Sequence, residues 1–240
     1  MADLPIRISV VIPAYNEASR IKDSLGRIAS YFERQAVSYE VIVVDDGSTD
    51  DTAAVVRSMA KRIEHLRLLT SNTNRGKGHA VRHGIAAARG DYVLMSDADL
   101  STPIEEVEKL MRALKVGGYD VAIGSRAMPQ SDVRLRQTPV REGMGKLFNL
   151  LVRLLVMRGF GDTQCGFKCF RANAARLIFT RQRIDGFCFD VEALMIARKA
   201  GLRVKEVPVV WLNSPESRVH ILHAPIQMFW DLLRIALGMS

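Results

Sequence analysis

Apolar residues in this chain gather in short runs that break into polar, turn-forming residues and then resume at helical spacing. The first run, Ile8 to Ile12, ends in Pro13, Ala14, Tyr15, Asn16 and Glu17, after which Ala18, Ile21, Leu25, Ile28, Ala29 and Phe32 recur. A short apolar run has strand length, and apolar residues three and four apart line one face of a helix. The order returns with Val41 to Val44 running into Asp45, Asp46, Gly47, Ser48, Thr49 and Asp50 before another helix. It returns again with Leu66 to Leu69 ahead of a helix starting near Lys77, and with Tyr92 to Met95 ahead of a helix from about Ile104 to Leu114. Val121 to Gly124 reads as a further strand. Alternation of this kind predicts an α/β fold, a mostly parallel sheet with helices on both faces.

In such sheets ligands gather where the parallel strands end, and these strands end in chemistry. The run Tyr92 to Met95 stops at Asp97, Ala98 and Asp99, two carboxylates one residue apart in a loop. Paired carboxylates suit Mg²⁺ or Mn²⁺, with phosphate oxygens and water completing the shell. The plain alternative is a solvated turn in which Asp99 or Ser101 caps the helix after Pro103. Asp46, at the end of the second strand, is placed to accept hydrogen bonds from a base or ribose, whereas Asp50 reads first as a helix N-cap. Arg75, Gly76, Lys77 and Gly78 bring cations and backbone amides to a helix start, a setting for anions.

Other chemistries are not spelled out. The stretch around Lys77 is not a GxxxxGK[ST] loop, and its GxG does not directly follow a strand. His79 and His83 stand four apart without the glutamate of HExxH, so they read as helix-surface histidines. Ser125 lacks the second glycine of GxSxG.

The chain has 240 residues, 48% of them hydrophobic, and a net charge of +8, enough for one α/β domain with a full core. The charge is concentrated. Between Arg126 and Arg183, twelve Lys or Arg stand against Asp132, Glu142 and Asp162, so the rest of the chain is nearly neutral. A segment of this kind suits nucleic acid, an anionic lipid surface or an acidic substrate. Without the interleaved aromatics of a single-strand platform, lipid is the better reading, and nucleic acid is not expected. Cys165, Cys169 and Cys188 form no CxxC pair and fit a reduced cytoplasmic setting. Met1 to Arg7 holds no apolar signal core, and no run reaches the roughly 18 apolar residues of a membrane span.

Taken together, PAYNE at 13–17, DDGSTD at 45–50, NRGKGHA at 74–80, DADLSTP at 97–103 and GSR at 124–126 resemble the inverting family 2 glycosyltransferases. The nearest group is the polyprenyl-phosphate glycosyltransferases. DTQCGFK at 162–168, FDVE at 189–192 and NSPESRVH at 213–220 look more like the glucosyl than the mannosyl branch. The resemblance implies a GT-A-like (Rossmann-like) domain over 1–240, with a nucleotide-sugar half at 1–126 and an acceptor and membrane-interface half at 127–240. It implies that Pro13, Tyr15, Glu17, Asp46 and Lys77 hold the donor nucleotide, and that Asp97 and Asp99 position ribose, metal and diphosphate. Where matching mannosyl enzymes carry a metal-binding glutamine this chain has Ser101, the third candidate ligand. Arg126 and Arg141 match acceptor-phosphate positions, where guanidiniums grip phosphate oxygens bidentately. Gln164 and Lys168 line the sugar pocket.

The activity so implied is transfer of a hexose, glucose from UDP-glucose first and GDP-mannose second, to dolichyl or undecaprenyl phosphate with inversion. A hydroxyl acceptor and a non-catalytic membrane-docking module are the rivals. A phosphate monoester has a second pKa of about 6 and needs no strong base, whereas a hydroxyl would. Asp190 is the candidate base, or else the N-cap of the helix at 191–200. Two apolar segments, Lys146 to Arg158 and Ile221 to Met239, are too short or too charged to span a bilayer. They read as interfacial amphipathic helices that hold the protein peripherally at the cytoplasmic face of the membrane; the alternatives are core helices or a contact between subunits.

Overall fold

The computed structural model describes residues 6–134, 139–212 and 224–238; the side chains of 139–142, 146 and 224–226 are outside that description. The first half alternates as the hydrophobic pattern requires: β1 (Ile8–Ala14), α1 (Ile21–Arg34), β2 (Tyr39–Asp45), α2 (Thr52–Ala60), β3 (Leu66–Thr70), α3 (Lys77–Ala87) and β4 (Tyr92–Met95). A 3₁₀ turn (Ile104–Glu106) leads into α4 (Val107–Lys115) and β5 (Val121–Ser125). The rest comprises β6 (Asp132–Val133), α5 (Pro139–Leu155), β7 (Lys168–Arg171), α6 (Ala172–Arg181), α7 (Phe189–Lys199), β8 (Val204–Pro208), β9 (Val210–Trp211) and α8 (Ala224–Ala236).

Among the described residues seven strands form one sheet in the order β3-β2-β1-β4-β7-β5-β8, and β6 pairs with β9 separately. β1 lies between β2 and β4, parallel to both. The chain thus leaves β1 toward one edge and returns on its other side, which opens a crevice at the strand ends. β7 is the exception to the parallel pattern, running antiparallel between β4 and β5. Its first residue, Lys168, pairs with Met95 and Ile123 and therefore stands at the edge where the parallel strands finish. Hydrophobic periodicity does not announce β7, because its four residues, KCFR, include a charge at each end.

Helices cover both faces. Val10 and Ile12 pack with Ile21, Leu25 and Ile28 of α1 and with Leu110 of α4, whereas Val11 faces Val81 and Ile85 of α3, in a cluster that extends through α6, α7 and α8. Each such side chain contributes roughly 1.5–3 kcal/mol when fully buried. All of β1 except Pro13 is buried, which is why its sequence is continuously apolar rather than alternating.

Three expected caps are built differently. Asp51 holds the N-cap position of α2 without a side-chain capping bond, and it is the Asp50 carboxylate that accepts the Thr52 amide, at 3.0 Å. The turn after Pro103 starts when Pro103 O accepts the Glu106 amide, and Asp99 instead accepts the amide of Ser101 at 2.9 Å. Asp190 is the second residue of α7, and Cys188 holds the cap position.

At the opposite edge of the sheet, Glu40 is 1% exposed. It accepts the Ser9 hydroxyl at 2.7 Å, the Arg89 amide at 2.8 Å and Arg67 Nη1 at 2.8 Å. Removing an acceptor that satisfies buried donors costs the desolvation of each donor left behind. Glu40→Ala is expected to lower stability by about 2–4 kcal/mol in urea unfolding. A change within about 0.5 kcal/mol, the range of an ordinary surface substitution, would show that this cluster does not hold β1, β2 and the loop before β4 together.

Candidate functional site

The loops after β1 and β2 are stitched into one unit. Asn16 adopts φ +55°, and its side-chain oxygen accepts the amides of Thr49 at 2.9 Å and Asp50 at 3.3 Å. Its own amide donates to Ser48 Oγ, and that of Glu17 donates to Thr52 Oγ1. Of the adjacent aspartates, Asp45 accepts the Ser48 amide within its own turn. Asp46 reaches outward, and its Oδ2 accepts the amides of Arg75 at 3.0 Å and Gly76 at 2.7 Å, joining β2 to the start of α3. Tyr15 is 38% exposed over this crevice, and Glu17 forks with Arg20.

The start of α3 does not offer the open amides expected of an anion cradle. Besides the two bonded to Asp46, those of Gly78 and His79 donate to Asp185 O at 2.7 and 3.2 Å. Gly76 has φ +114°, and a Cβ there would lie 2.4 Å from Asp185 O, so only glycine lets the two segments close. What α3 does supply is Lys77, whose ammonium sits 2.6 Å from Asp97 Oδ1. Burial alone would lower its pKa; Asp97, Asp190 and Asp99 together outweigh that and hold it above the usual lysine value, so it stays charged.

The loop after β4 presents both candidate metal carboxylates. Leu100, between Asp99 and Ser101, has φ +46°, a conformation that costs a non-glycine residue roughly 1–2 kcal/mol. Its side chain, 2% exposed in the core, offsets that. Asp97 presses on Gly166, where a Cβ would fall 1.9 Å from Oδ2. Asp99 Oδ2 lies 3.8 Å from Arg20. Ser101 is 8% exposed, and its carbonyl accepts the Leu212 amide at 2.7 Å. Among the described residues no three His, Cys, Asp or Glu side chains form a metal cage. Two carboxylates in a polar loop nevertheless fit Mg²⁺ or Mn²⁺, which take much of their shell from phosphate and water.

Lys168 and Asp190 correct two expectations. Lys168 is 1% exposed, so it is not an open sugar contact. Its ammonium bonds Asp190 Oδ1 at 2.6 Å and Cys165 O at 2.5 Å. Asp190, 3% exposed, is therefore the buried partner of a lysine; burial pushes its carboxyl up, against the opposing pull of Lys168 and Lys77.

Arg126, after β5, is likewise committed. Its Nε and Nη2 hold Asp162 at 2.6 and 2.9 Å, and its guanidinium lies 5.4 Å from the Trp211 ring centre. Burial alone would raise the Asp162 carboxyl, but Arg126 holds it below the usual carboxylate range. The Arg126 side chain stays 29% exposed. Gln164 donates its side-chain amide to Phe187 O at 3.5 Å and its backbone amide to Asp162. Arg141 falls in α5, with its side chain outside the described residues, as is the 213–223 segment with His220 and His223.

Two residues were missed. Asp162 is one of three acids among twelve bases, which marks it as a charge partner. His79 is not a surface histidine: its side chain is 12% exposed, with Nδ1 at 3.7 Å from Asp46 Oδ1.

Away from the crevice, α5 packs on α8. Val152, Leu232 and Ile235 turn inward, whereas Leu147, Leu150 and Leu154 of α5 are 50–66% exposed and Trp230 of α8 is 60% exposed. A groove of about 750 Å³ at the C-terminal ends of α5, α7 and α8 is lined by Met157, Met195 and Ile235 and by Arg153, Arg158, Arg198 and Lys199. No helix among the described residues is long and apolar enough to cross a membrane.

Known proteins are similar to this chain in sequence and in fold. Residues 9–179 match the profile of Glycosyl transferase family 2. A dolichyl-phosphate beta-glucosyltransferase of Trichomonas vaginalis is 39% identical over 236 residues, 95% of this chain and 70% of that protein. A human protein of the same name is 37% identical over 243 residues, covering 96% and 75%. Glucosyl-3-phosphoglycerate synthase from Mycobacterium tuberculosis, solved with Mn²⁺, UDP and glucosyl-3-phosphoglycerate, superposes with a TM-score of 0.74 at 21% identity, covering 97% of this chain and 80% of that one. Mannosyl-3-phosphoglycerate synthase from Rubrobacter xylanophilus gives 0.73 at 22%, covering 98% and 74%. With a GT-A-like sheet and a family profile across most of its length, this chain belongs to glycosyl transferase family 2.

Proposed function

We propose that the protein transfers glucose from UDP-glucose to a polyprenyl phosphate, dolichyl or undecaprenyl, with inversion, giving a β-linked lipid-phosphate sugar and using Mg²⁺ or Mn²⁺. The observation that carries the reading is the meeting of Asp46, Lys77, Asp97 and Asp99 at the crevice beside β1, with Arg126 beyond β5. The names of the relatives support the glucosyl and lipid-phosphate parts, and the neighbour solved with UDP and Mn²⁺ supports the donor and metal.

In this reading Asp46 and the Pro13 to Glu17 turn hold the nucleoside. Asp97 and Asp99 hold the cation, with Ser101 beside them. When bound there, such a cation would supply neutralisation of the charge on the departing diphosphate, worth several kcal/mol. Lys77 brings a permanent positive charge to the same place. Arg126 and Arg141 orient the acceptor phosphate, and Asp162 keeps Arg126 in one rotamer. A phosphate acceptor is ionised at neutral pH, so no residue need take its proton. The burial of Asp190 against Lys168 supports this over a hydroxyl acceptor, because the best candidate base is already engaged.

Residues 1–126 act as the donor half and 127–240 as the acceptor half, with β7 of the second half set into the sheet. The exposed leucines of α5, Trp230 and the cationic groove suit a peripheral position on an anionic membrane.

Purified protein with Mn²⁺, a short polyprenyl phosphate and labelled UDP-glucose should pass label into the organic phase, and EDTA should stop it. Transfer from GDP-mannose instead would change the sugar, and transfer only to a soluble alcohol would overturn the acceptor. Asp99→Asn should retain its unfolding midpoint and lose at least about a hundred-fold in kcat; a wild-type rate would remove Asp99 from the metal site. Binding to liposomes should require anionic lipid, weaken with salt, and fall when Leu150 and Leu154 are both replaced by Ser. Equal binding to neutral vesicles would count against the cationic groove.

A further inference from the structure

Asp46 Oδ1 and His79 Nδ1 are both buried, and neither has a hydrogen-bond partner. They lie 3.7 Å apart, too far for a hydrogen bond to each other. Buried polar atoms left unpaired are costly, so two side by side require an explanation. The gap is built in. Asp46 is tethered through its other oxygen by the amides of Arg75 and Gly76, and α3 is fixed against Asp185 O through the amides of Gly78 and His79 itself. Neither side chain is free to close on the other, and both atoms are left for a third group.

We propose that His79 works with Asp46 to read the base of the donor nucleotide. Asp46 Oδ1 accepts the ring N–H of a lactam edge, and His79 Nδ1–H donates to the carbonyl beside it. The inference rests on the UDP-sugar reading above and adds a specificity-determining residue to it. Burial, reinforced by Arg75, lowers the imidazole pKa and keeps His79 neutral at physiological pH, so one ring nitrogen carries a hydrogen and the other does not. The neighbouring carboxylate oxygen favours that hydrogen on Nδ1. An acceptor next to a donor matches N–H next to C=O, which uracil and guanine present. Cytosine and adenine present the reverse, an unprotonated ring nitrogen beside an amino group, and would set a lone pair against the Asp46 carboxylate. A site built to hydrogen-bond one edge rejects an analogue that leaves its buried groups unpaired.

The test is equilibrium binding with Mn²⁺ of UDP, 2-thio-UDP and 4-thio-UDP to the full chain and to His79→Leu and His79→Asn. Sulfur is a poor acceptor, so one thio analogue should bind the wild type about ten-fold more weakly than UDP. In His79→Leu, UDP itself should weaken about ten-fold and the penalty for that analogue should vanish, the non-additivity that marks a direct contact. His79→Asn keeps an N–H near the Nδ1 position and should restore both the affinity and the penalty. It also separates a lost contact from a damaged fold, which the unfolding midpoint of each variant checks. Wild-type UDP affinity in His79→Leu, or an undiminished thio penalty in that variant, would overturn the role of His79 while leaving the donor reading intact. Absence of UDP binding to the wild type would overturn both.

Discussion

Carboxylates concentrated at one edge of a sheet repel one another and resist burial unless cations are built in beside them. Asp46, Asp97, Asp99 and Asp190 are brought together here by the ends of β2 and β4 and the start of α7. Lys77 answers Asp97, Lys168 answers Asp190, and Arg20 lies near Asp99. The same solution recurs beyond β5, where Arg126 answers Asp162. The crevice is therefore a lattice of charge pairs. Under the proposed function, a negatively charged donor with a divalent cation would meet groups of both signs already in position, the preorganisation that electrostatic catalysis requires.

The lattice depends on β7. By entering antiparallel between β4 and β5, it carries Lys168 to the strand ends from the far half of the sequence, and it brings Gly166 against Asp97. A seventh parallel strand would have put its first residue at the opposite edge. Loop shapes complete the work: Asn16 and Leu100 take left-handed backbone conformations, one held by side-chain hydrogen bonds and the other by a buried side chain. Strain of this kind persists where the surroundings over-determine it.

The second face of the molecule follows different physics. α5 and α8 each bury one stripe, through Val152, Leu232 and Ile235, and expose another that is largely leucine and tryptophan. Each helix is thus packed as a core helix on one side and left exposed on the other. Contact with the sheet helices is held by the inner stripe.

The order of strands and helices through β5 was legible from the chain, because burial on both faces makes parallel strands continuously apolar and the helices strictly periodic. β4 and the start of α3 fall where the pattern places them, and the carboxylates and cations of the strand-end loops are visible as residue types. Which of those groups are spent on one another was decided only in three dimensions. Lys168 and Asp190 are 22 residues apart and Arg126 and Asp162 are 36, and neither separation has a helical or strand period that would reveal a partner. The amides at the start of α3 looked open in the sequence and are closed by Asp46 and by Asp185, which lies between α6 and α7, both packed against α3. His79 looked like a surface residue for the same reason. Local periodicity records which way a side chain leaves its own helix, and the packing of distant segments decides what it meets there.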